Sequence, residues 1–377
     1  MNLKVLLIAL YLFVIGFPWH AFADERLRIV GMGGTRIATR AADAGIFGNP
    51  ASLVHVQNHH LAFGIATENL HWGELPKRER EQLVVEAGID VYPTTYYSHA
   101  FGKWGISIGY AATFTSSADF TVAATRAEYD RSNRRFSAQT DLNTKYALFR
   151  EGRWVLCLGR AIGKTVAGAR LKWVTQNVRR GTLMSTLNLA ARHGLDIDTR
   201  TPEQFIPAIV EELQFGDRVR DILHENHPEL ERTAGGLEFD VGFQRDVQFS
   251  RLKPIQVGVL FENLLRADLV EPLPFRLGIG IGYRPLEWIV LAADVFRVTG
   301  ERGMDWAIGA ECHTGKWHTH FAAALRIGTG RVAGTNHFSI GLALRLGTLW
   351  TEYTLRRPFT GIPMTAANHL LALTLQW

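Results

Sequence analysis

The sequence has 377 residues, of which 41 are Lys or Arg and 36 are Asp or Glu, giving a formal charge of +5. Hydrophobic residues make up 47% of the chain, which excludes a disordered protein, and two cysteines are too few for a disulfide-stapled fold. The 36 glycines and 11% aromatic residues, with only 20% charged residues, are an unusual combination for a cytosolic enzyme.

Residues 1–23 have the pattern of a secretory signal peptide. Lys4 precedes an apolar core, and Ala21, Phe22 and Ala23 form an A-x-A cleavage site. The alternative, an uncleaved membrane anchor, is disfavoured because the apolar core is short and Pro18 interrupts it. The sequence therefore predicts Sec-type export with cleavage after Ala23, and later segments lack the pattern of a membrane helix. Such a chain is periplasmic, secreted or an outer-membrane β-barrel.

Residues 24–54 precede the first predicted strand and contain a glycine-rich motif. The motif begins at Gly31, passes through small residues and ends in an Asn-Pro-Ala sequence. A nucleotide-binding loop is the alternative interpretation, but it lacks the preceding strand that such loops follow.

In the second half of the chain, apolar residues alternate with small or charged residues. In the segment from Phe338 to Leu346, for example, every second residue is Phe, Ile or Leu. Alternation alone also fits a soluble sandwich, but runs of about 9–11 residues have the length that a tilted strand needs to cross a bilayer. Aromatic residues gather at the strand ends, as in the girdles of membrane barrels.

These runs predict about fourteen antiparallel strands in a transmembrane β-barrel, an even number as bacterial barrels require. Short and long connections alternate, so the long ones fall on the outer side. Phe136 to Phe149 could form a further strand, but an odd number would result, and the segment is therefore assigned to a loop. The predicted strands cover residues 57–68, 91–101, 103–114, 153–163, 165–177, 236–246, 254–264, 273–284, 286–297, 304–312, 316–327, 337–346, 348–357 and 367–377.

The longest connection, residues 178–235, contains a helical signal. Thr201 is a predicted N-cap with Pro at the first helical position, and apolar residues follow at helical spacing. We predict a partly helical extracellular insertion. It either packs on the barrel rim or forms an apolar surface that captures a hydrophobic ligand. The candidate capture residues are Phe205, Ile206, Ile209, Val210 and Leu213.

The C-terminal strand carries the most specific strand motif. Trp377 is the last residue, and Leu371, Leu373 and Leu375 precede it at steps of two. A terminal aromatic residue on an alternating strand resembles the signal that outer-membrane barrels present to the barrel assembly machinery. The sequence thus predicts this machinery as a partner.

The segment before the first strand resembles the N-terminal hatch of the FadL family of outer-membrane transporters. The matching positions are Gly31, Gly33, Gly34, Asp43, Ala44, Asn49, Pro50 and Ala51. The later strands look more like the PorV-type branch. The resemblance implies a signal peptide at 1–23, a hatch that plugs the lumen at 24–54 and a barrel at 55–377. It also implies uptake of hydrophobic compounds such as long-chain fatty acids, or service as a secretion accessory.

The sequence offers little support for catalysis or metal binding. His59, His60, His318 and His320 lack partners at a recognised ligand spacing, and no nucleophile motif is present. We therefore expect no enzyme activity, no metal and no cofactor. The charged residues of the lumen are instead expected to pair with each other and with the hatch. These residues are Arg276, Arg284, Arg326, Arg345, Glu238, Asp240, Glu262, Asp294, Asp305, Glu311 and Glu352.

The sequence is compatible with three functions. The first is an importer of hydrophobic small molecules in the cell outer membrane, with lipid and ligand as partners. The second is a PorV-like secretion or surface-attachment accessory that binds secretion-system proteins. The third is a structural barrel or adhesin. Export and a mild charge argue against nucleic acid as a partner. A continuous apolar tunnel would favour the first function, and a lumen sealed by side chains the other two.

Overall fold

The computed structural model describes most of the chain. The described residues are 25–39, 45–56, 59–72, 77–79, 82–130, 135–191, 230–248, 253–265, 267–314, 321–332, 334–359 and 368–376. The predicted signal peptide, the candidate capture residues 205–213, His318, His320 and Trp377 lie outside them. Within the described part, no helix is long and apolar enough to cross a membrane.

The described residues are almost entirely β-sheet, and before the first strand they include one short α-helix and one 3-10 helix. Helix α1 spans Glu25–Gly31 and the 3-10 helix spans Pro50–His55. The strands are β1 (His60–Trp72), β2 (Lys77–Glu79), β3 (Gln82–Phe101), β4 (Trp104–Asp130), β5 (Arg135–Ile162), β6 (Thr165–Ala191), β7 (Leu230–Val247), β8 (Ile255–Glu262), β9 (Arg276–Tyr283), β10 (Ile289–Val298), β11 (Asp305–His313), β12 (Phe321–Val332), β13 (Thr335–Leu346), β14 (Leu349–Pro358) and β15 (Asn368–Gln376).

All strand pairs are antiparallel, and from β3 onward each strand pairs with the next in the chain. Strand β1 pairs with β15 on one side, where His60 lies opposite Gln376, and with β3 on the other, where His60 lies opposite Ser98. The order of pairings therefore returns to the first strand. The short β2 pairs with β3 alone. The predicted all-β antiparallel architecture is confirmed.

The two faces of the sheet differ as the alternation predicts. On β10, Val290, Ala292 and Asp294 are buried, whereas Leu291 and Val295 are exposed. The buried positions face the residues that precede β1, and we call this face the inner face. The outer face carries exposed Ile, Leu, Phe and Trp side chains from nearly all of the long strands.

Several strands are longer than the alternation predicted. Phe136 to Phe149, assigned to a loop, belongs to β5, because Phe136 pairs with Tyr129 on one side and with Ala191 on the other. Residues 178–191 and 230–235, assigned to the 178–235 insertion, continue β6 and β7. These strands continue beyond the residues that show apolar alternation. Their backbone hydrogen bonds are satisfied by pairing with the neighbouring strand, whatever the side chains are. The rest of the insertion lies outside the described residues.

The hydrophobic core lies between the inner face and the residues that precede β1. Ile37 packs with Leu260 and Phe296, and Met32 packs with Val290 and Ala292. We call residues 25–39 and 45–56 the N-terminal segment. Its burial against the wall defines the site described next.

Candidate functional site

The N-terminal segment contacts most of the inner face. Helix α1 lies against β12, β13, β14 and β15, and the 3-10 helix lies against β3 to β7. Ile37 packs between these two regions, against β8 and β10. The segment thus runs along the inner face and contacts strands at both ends of the sheet order rather than one side alone.

Four alternating charges fix α1 to the wall. Arg28 makes two hydrogen bonds to Glu311, from Nε at 2.8 Å and from Nη2 at 3.0 Å. Arg326 bonds the same Glu311 oxygen through Nε at 2.6 Å and bonds both oxygens of Glu352 at 3.0 and 3.1 Å. These side chains are nearly inaccessible to solvent, so each charge depends on its partner.

Arg170 of β6 fixes the second half of the segment. Its Nη1 donates to the backbone oxygens of Ile46 at 2.6 Å and Gly48 at 3.0 Å. Its Nε lies 2.5 Å from Asp240, and its Nη2 lies 3.2 Å from Glu262. A single guanidinium therefore joins the segment to three strands of the wall, and its charge is balanced by buried carboxylates.

The middle of the segment is bonded through its backbone. Asp294 accepts from the amides of Arg36 at 2.5 Å and Ile37 at 3.0 Å. The Arg36 side chain reaches Glu262 at 2.6 Å. Glu262 is thus shared between Arg36 on the segment and Arg170 on the wall, and it couples the two halves.

Asn49 both caps the 3-10 helix and ties it to the wall. Its side-chain oxygen accepts from the Ala51 amide at 3.0 Å, and Pro50 occupies the first turn. Its amide nitrogen lies 3.1 Å from the backbone oxygen of Phe243 and 3.2 Å from that of Val259. The Asn-Pro-Ala motif therefore starts the 3-10 helix and holds it against the wall.

Inner-face glycines allow the backbone of the segment to touch the strands. A Cβ at Gly328 would overlap the backbone of Met32 and Gly33, and one at Gly168 would overlap Pro50 and Ala51. Gly33 itself has a φ of 72°, a backbone conformation that residues with a side chain disfavour. Glycine is therefore needed both at Gly33 of the segment and at Gly328 of β12. Similar overlaps with the backbone of the segment would occur at Gly105, Gly258, Gly282 and Gly309.

The predicted hatch residues that the structure describes lie against the inner face in two separate places. Gly31, Gly33 and Gly34 lie near β11 to β14, and Asn49, Pro50 and Ala51 lie near β6 to β8. Asp43 and Ala44 lie outside the described residues. Leu371, Leu373 and Leu375 lie on β15, where Leu371 is opposite Tyr353, Leu373 opposite Thr351 and Leu375 opposite Leu349.

The expected pairing of lumenal charges is confirmed for several residues. Glu311, Arg326 and Glu352 form one connected group, and Asp240 and Glu262 belong to another. Arg345 instead bonds the Gly347 backbone oxygen at 2.8 Å. Sequence reasoning missed Arg28, Arg36, Arg170 and Lys172. A signal for the last two existed, since Arg170 and Lys172 lie on the same side of β6 as Gly168 and opposite to Leu171 and Trp173.

A cavity of about 300 Å³ lies between the segment and the wall. Its apolar lining includes Ile29, Phe47 and Leu273, and its polar lining includes Arg170 and Lys172. The cavity is bounded by residues of both segment and strands. A displacement of the segment would therefore change its size.

No family model and no curated protein sequence matches this chain. The Ralstonia pickettii toluene transporter TbuX matches in structure with a TM-score of 0.55 and 15% identity, covering 96% of this chain and 100% of that chain. A TodX deltaS2S3 mutant, a monoaromatic hydrocarbon channel, matches with a TM-score of 0.54 and 12% identity, covering 94% and 98%.

The P. putida toluene transporter TodX matches with a TM-score of 0.50 and 10% identity, covering 93% of this chain and 97% of that chain. At such identities the likeness establishes the fold, which agrees with the resemblance to FadL-type transporters. These similar structures are transporters or channels rather than enzymes. The likeness to the PorV-type branch stays a prediction.

Proposed function

We propose that this protein is an outer-membrane transporter for hydrophobic small molecules. The observation that carries the proposal is the N-terminal segment, which lies along the inner wall of a sheet with the fold of hydrocarbon transporters. The pairing of β1 with both β15 and β3 supports a barrel of about fourteen long strands, and the apolar outer face suits a lipid environment.

In this proposal residues 24–54 form a hatch. The segment carries no strand pairing of its own with the wall, and it is held by side chains, glycine contacts and single backbone bonds. Such bonds can be exchanged one by one as the segment shifts, whereas removal of a strand would break a whole ladder. A shift that moves Gly34, Arg36 and Phe47 away from the wall would enlarge the cavity and open a path along the wall.

The uptake route also includes residues outside the described part. Phe205, Ile206, Ile209, Val210 and Leu213 form the proposed capture surface, and residues 1–23 form a signal peptide that is removed after Ala23. Leu371, Leu373, Leu375 and Trp377 form the proposed signal for the assembly machinery. Long-chain fatty acids and monoaromatic hydrocarbons are the first substrates to test, the latter because TbuX is a toluene transporter and TodX a monoaromatic hydrocarbon channel.

An uptake assay tests the proposal in cells that lack their own transporter for such compounds. Whole cells are the appropriate system, because the lipopolysaccharide leaflet slows apolar solutes that would cross a plain phospholipid bilayer unaided. Labelled oleate and labelled toluene are supplied, with a small hydrophilic sugar as the matched control solute. We expect expression to raise uptake of at least one apolar solute and to leave sugar uptake unchanged.

Two results would count against transport. Unchanged uptake of both apolar solutes, with the protein folded in the outer membrane, would contradict the importer and favour the secretion accessory or structural barrel. Equal increases for the sugar and the apolar solutes would indicate an open pore and would contradict a plugged lumen.

A further inference from the structure

A second feature lies on the opposite, outer face of the sheet. Strands β9 to β13 carry an apolar groove of about 690 Å³ there. Ala293 and Ala310 form its floor, and Leu291, Ile308 and Ile327 rise beside them with about half of their surface exposed. Small residues among large ones leave a groove rather than a flat surface, and its lining is almost entirely apolar.

Arginines border the end of this groove where β10, β12 and β14 reach their connections at 299–304, 333–334 and 359–367. The outward positions there are Arg297, Arg331 and Arg357. Arg331 lies opposite Asn336, and Arg357 lies opposite Phe338, which lines the groove. From strand spacing and rise, their Cα atoms are about 12 Å apart.

These arginines differ from those of the inner face in their partners. Arg28, Arg170 and Arg326 each bond buried carboxylates. Arg297 donates to the backbone oxygen of Gly303 at 2.7 Å, and none of the described carboxylates forms an ion pair with Arg331 or Arg357. Glu301, in the same connection as Gly303, also forms no ion pair with Arg331 or Arg357. The positive charge at this edge is therefore available to an external anion.

We propose that the groove and its arginines bind the phosphorylated glycolipid of the lipid A type that forms the outer leaflet. One acyl chain would lie on Ala293 and Ala310, and phosphate oxygens would accept hydrogen bonds from Arg331 and Arg357. The inference rests on the membrane placement proposed above, but not on transport. A ligand that has both an acyl chain and a phosphate group can fill the apolar groove and bind the arginines at the same time.

Native mass spectrometry of the purified protein in detergent tests the proposal, with lipid A, dephosphorylated lipid A and phosphatidylglycerol as probes. We expect the wild type to prefer lipid A over both other lipids. Arg331→Gln with Arg357→Gln should weaken lipid A binding about tenfold or more, because charge-assisted bonds are lost. Ala310→Leu should also weaken it by filling the groove, with no change in charge.

The matched control is Arg160→Gln with Arg245→Gln, which removes two exposed arginines from the opposite end of the outer face. This control should bind lipid A as the wild type does. Equal weakening in both double variants, equal binding of phosphatidylglycerol, or wild-type binding by Ala310→Leu would each overturn the proposal. Uptake assays on the same variants separate this surface from transport, which should be unaffected.

Discussion

The inner and outer faces of the same strands are built by different rules. On β12, Ile327 is about half exposed on the outer face, while its neighbour Gly328 lies beneath the backbone of Gly33. Outer positions need only to be apolar, and many side chains would serve. Inner positions must fit one particular segment, atom by atom. The difference indicates that the inner face fixes the position of the N-terminal segment, while the apolar outer face suits the lipid environment proposed above.

The largest expected effect comes from Arg170→Met on the inner face. The change leaves Asp240 and Glu262 with fewer partners and removes the bonds to Ile46 and Gly48. We expect the free energy of unfolding to fall by about 3–5 kcal/mol, measured by denaturant titration in lipid vesicles. Arg160→Met, which only removes a contact with the Trp104 ring, should cost about 1 kcal/mol or less. Similar losses of unfolding free energy in the two variants would contradict the claim that the inner face contributes more to stability than the outer face.

A smaller effect is expected for Gly328→Ala. The new Cβ overlaps the backbone of the segment, which must move or strain the strand. We expect a loss of about 1–3 kcal/mol, together with faster proteolysis of the segment in the folded protein. Wild-type stability and protection would show that the segment does not approach this strand as closely as described.

Asn49→Ala should have the next largest effect. It removes the cap on the 3-10 helix and the bonds to Phe243 and Val259, at a cost of about 1–2 kcal/mol. The control is Asn177→Ala, whose amide bonds the Thr233 hydroxyl in an exposed position. Its expected effect on the free energy of unfolding is close to zero, and an equal loss in both would contradict the anchoring role of Asn49.

The smallest effect is expected on the outer face. Ile327→Val removes one methylene group from a side chain that is about half exposed on the outer face. We expect a change below about 0.5 kcal/mol in vesicles, because lipid fills the space that a packed core would leave empty. A loss as large as that of Gly328→Ala would place Ile327 in a protein contact instead.

The fold was largely predictable from the sequence, because the outer face obeys a local rule. Alternation from β7 to β14 is visible without knowledge of any contact, and it predicted antiparallel strands correctly. Strand ends were not predictable where the apolar band stops, as in β5, since backbone pairing continues without an apolar signal. Phe136 to Phe149 was assigned to a loop because a separate strand there would have made the strand count odd, whereas the segment lengthens β5 and adds no strand.

The site was harder to predict from the sequence than the fold. The glycine-rich and Asn-Pro-Ala motifs marked the segment, and charges such as Glu311 and Arg326 marked the inner face. Their specific partners were not readable, because Arg28 and Glu311 are separated by most of the chain and meet only in the folded sheet. Arg170 carries no motif at all. Its role follows from its position opposite Asp240 in the register.

A disulfide lock tests most directly whether the segment acts as a hatch. A Cβ at Gly34 would lie 3.6 Å from that of Ala307, within the range that a disulfide spans, although the φ of 103° at Gly34 strains any side chain placed there. Gly34→Cys and Ala307→Cys are introduced with Cys157→Ala and Cys312→Ser, and uptake of an apolar solute is measured before and after reduction. We predict that the oxidised protein takes up little solute and that reduction restores uptake. Equal uptake in both states, with the disulfide fully formed, would contradict a moving hatch.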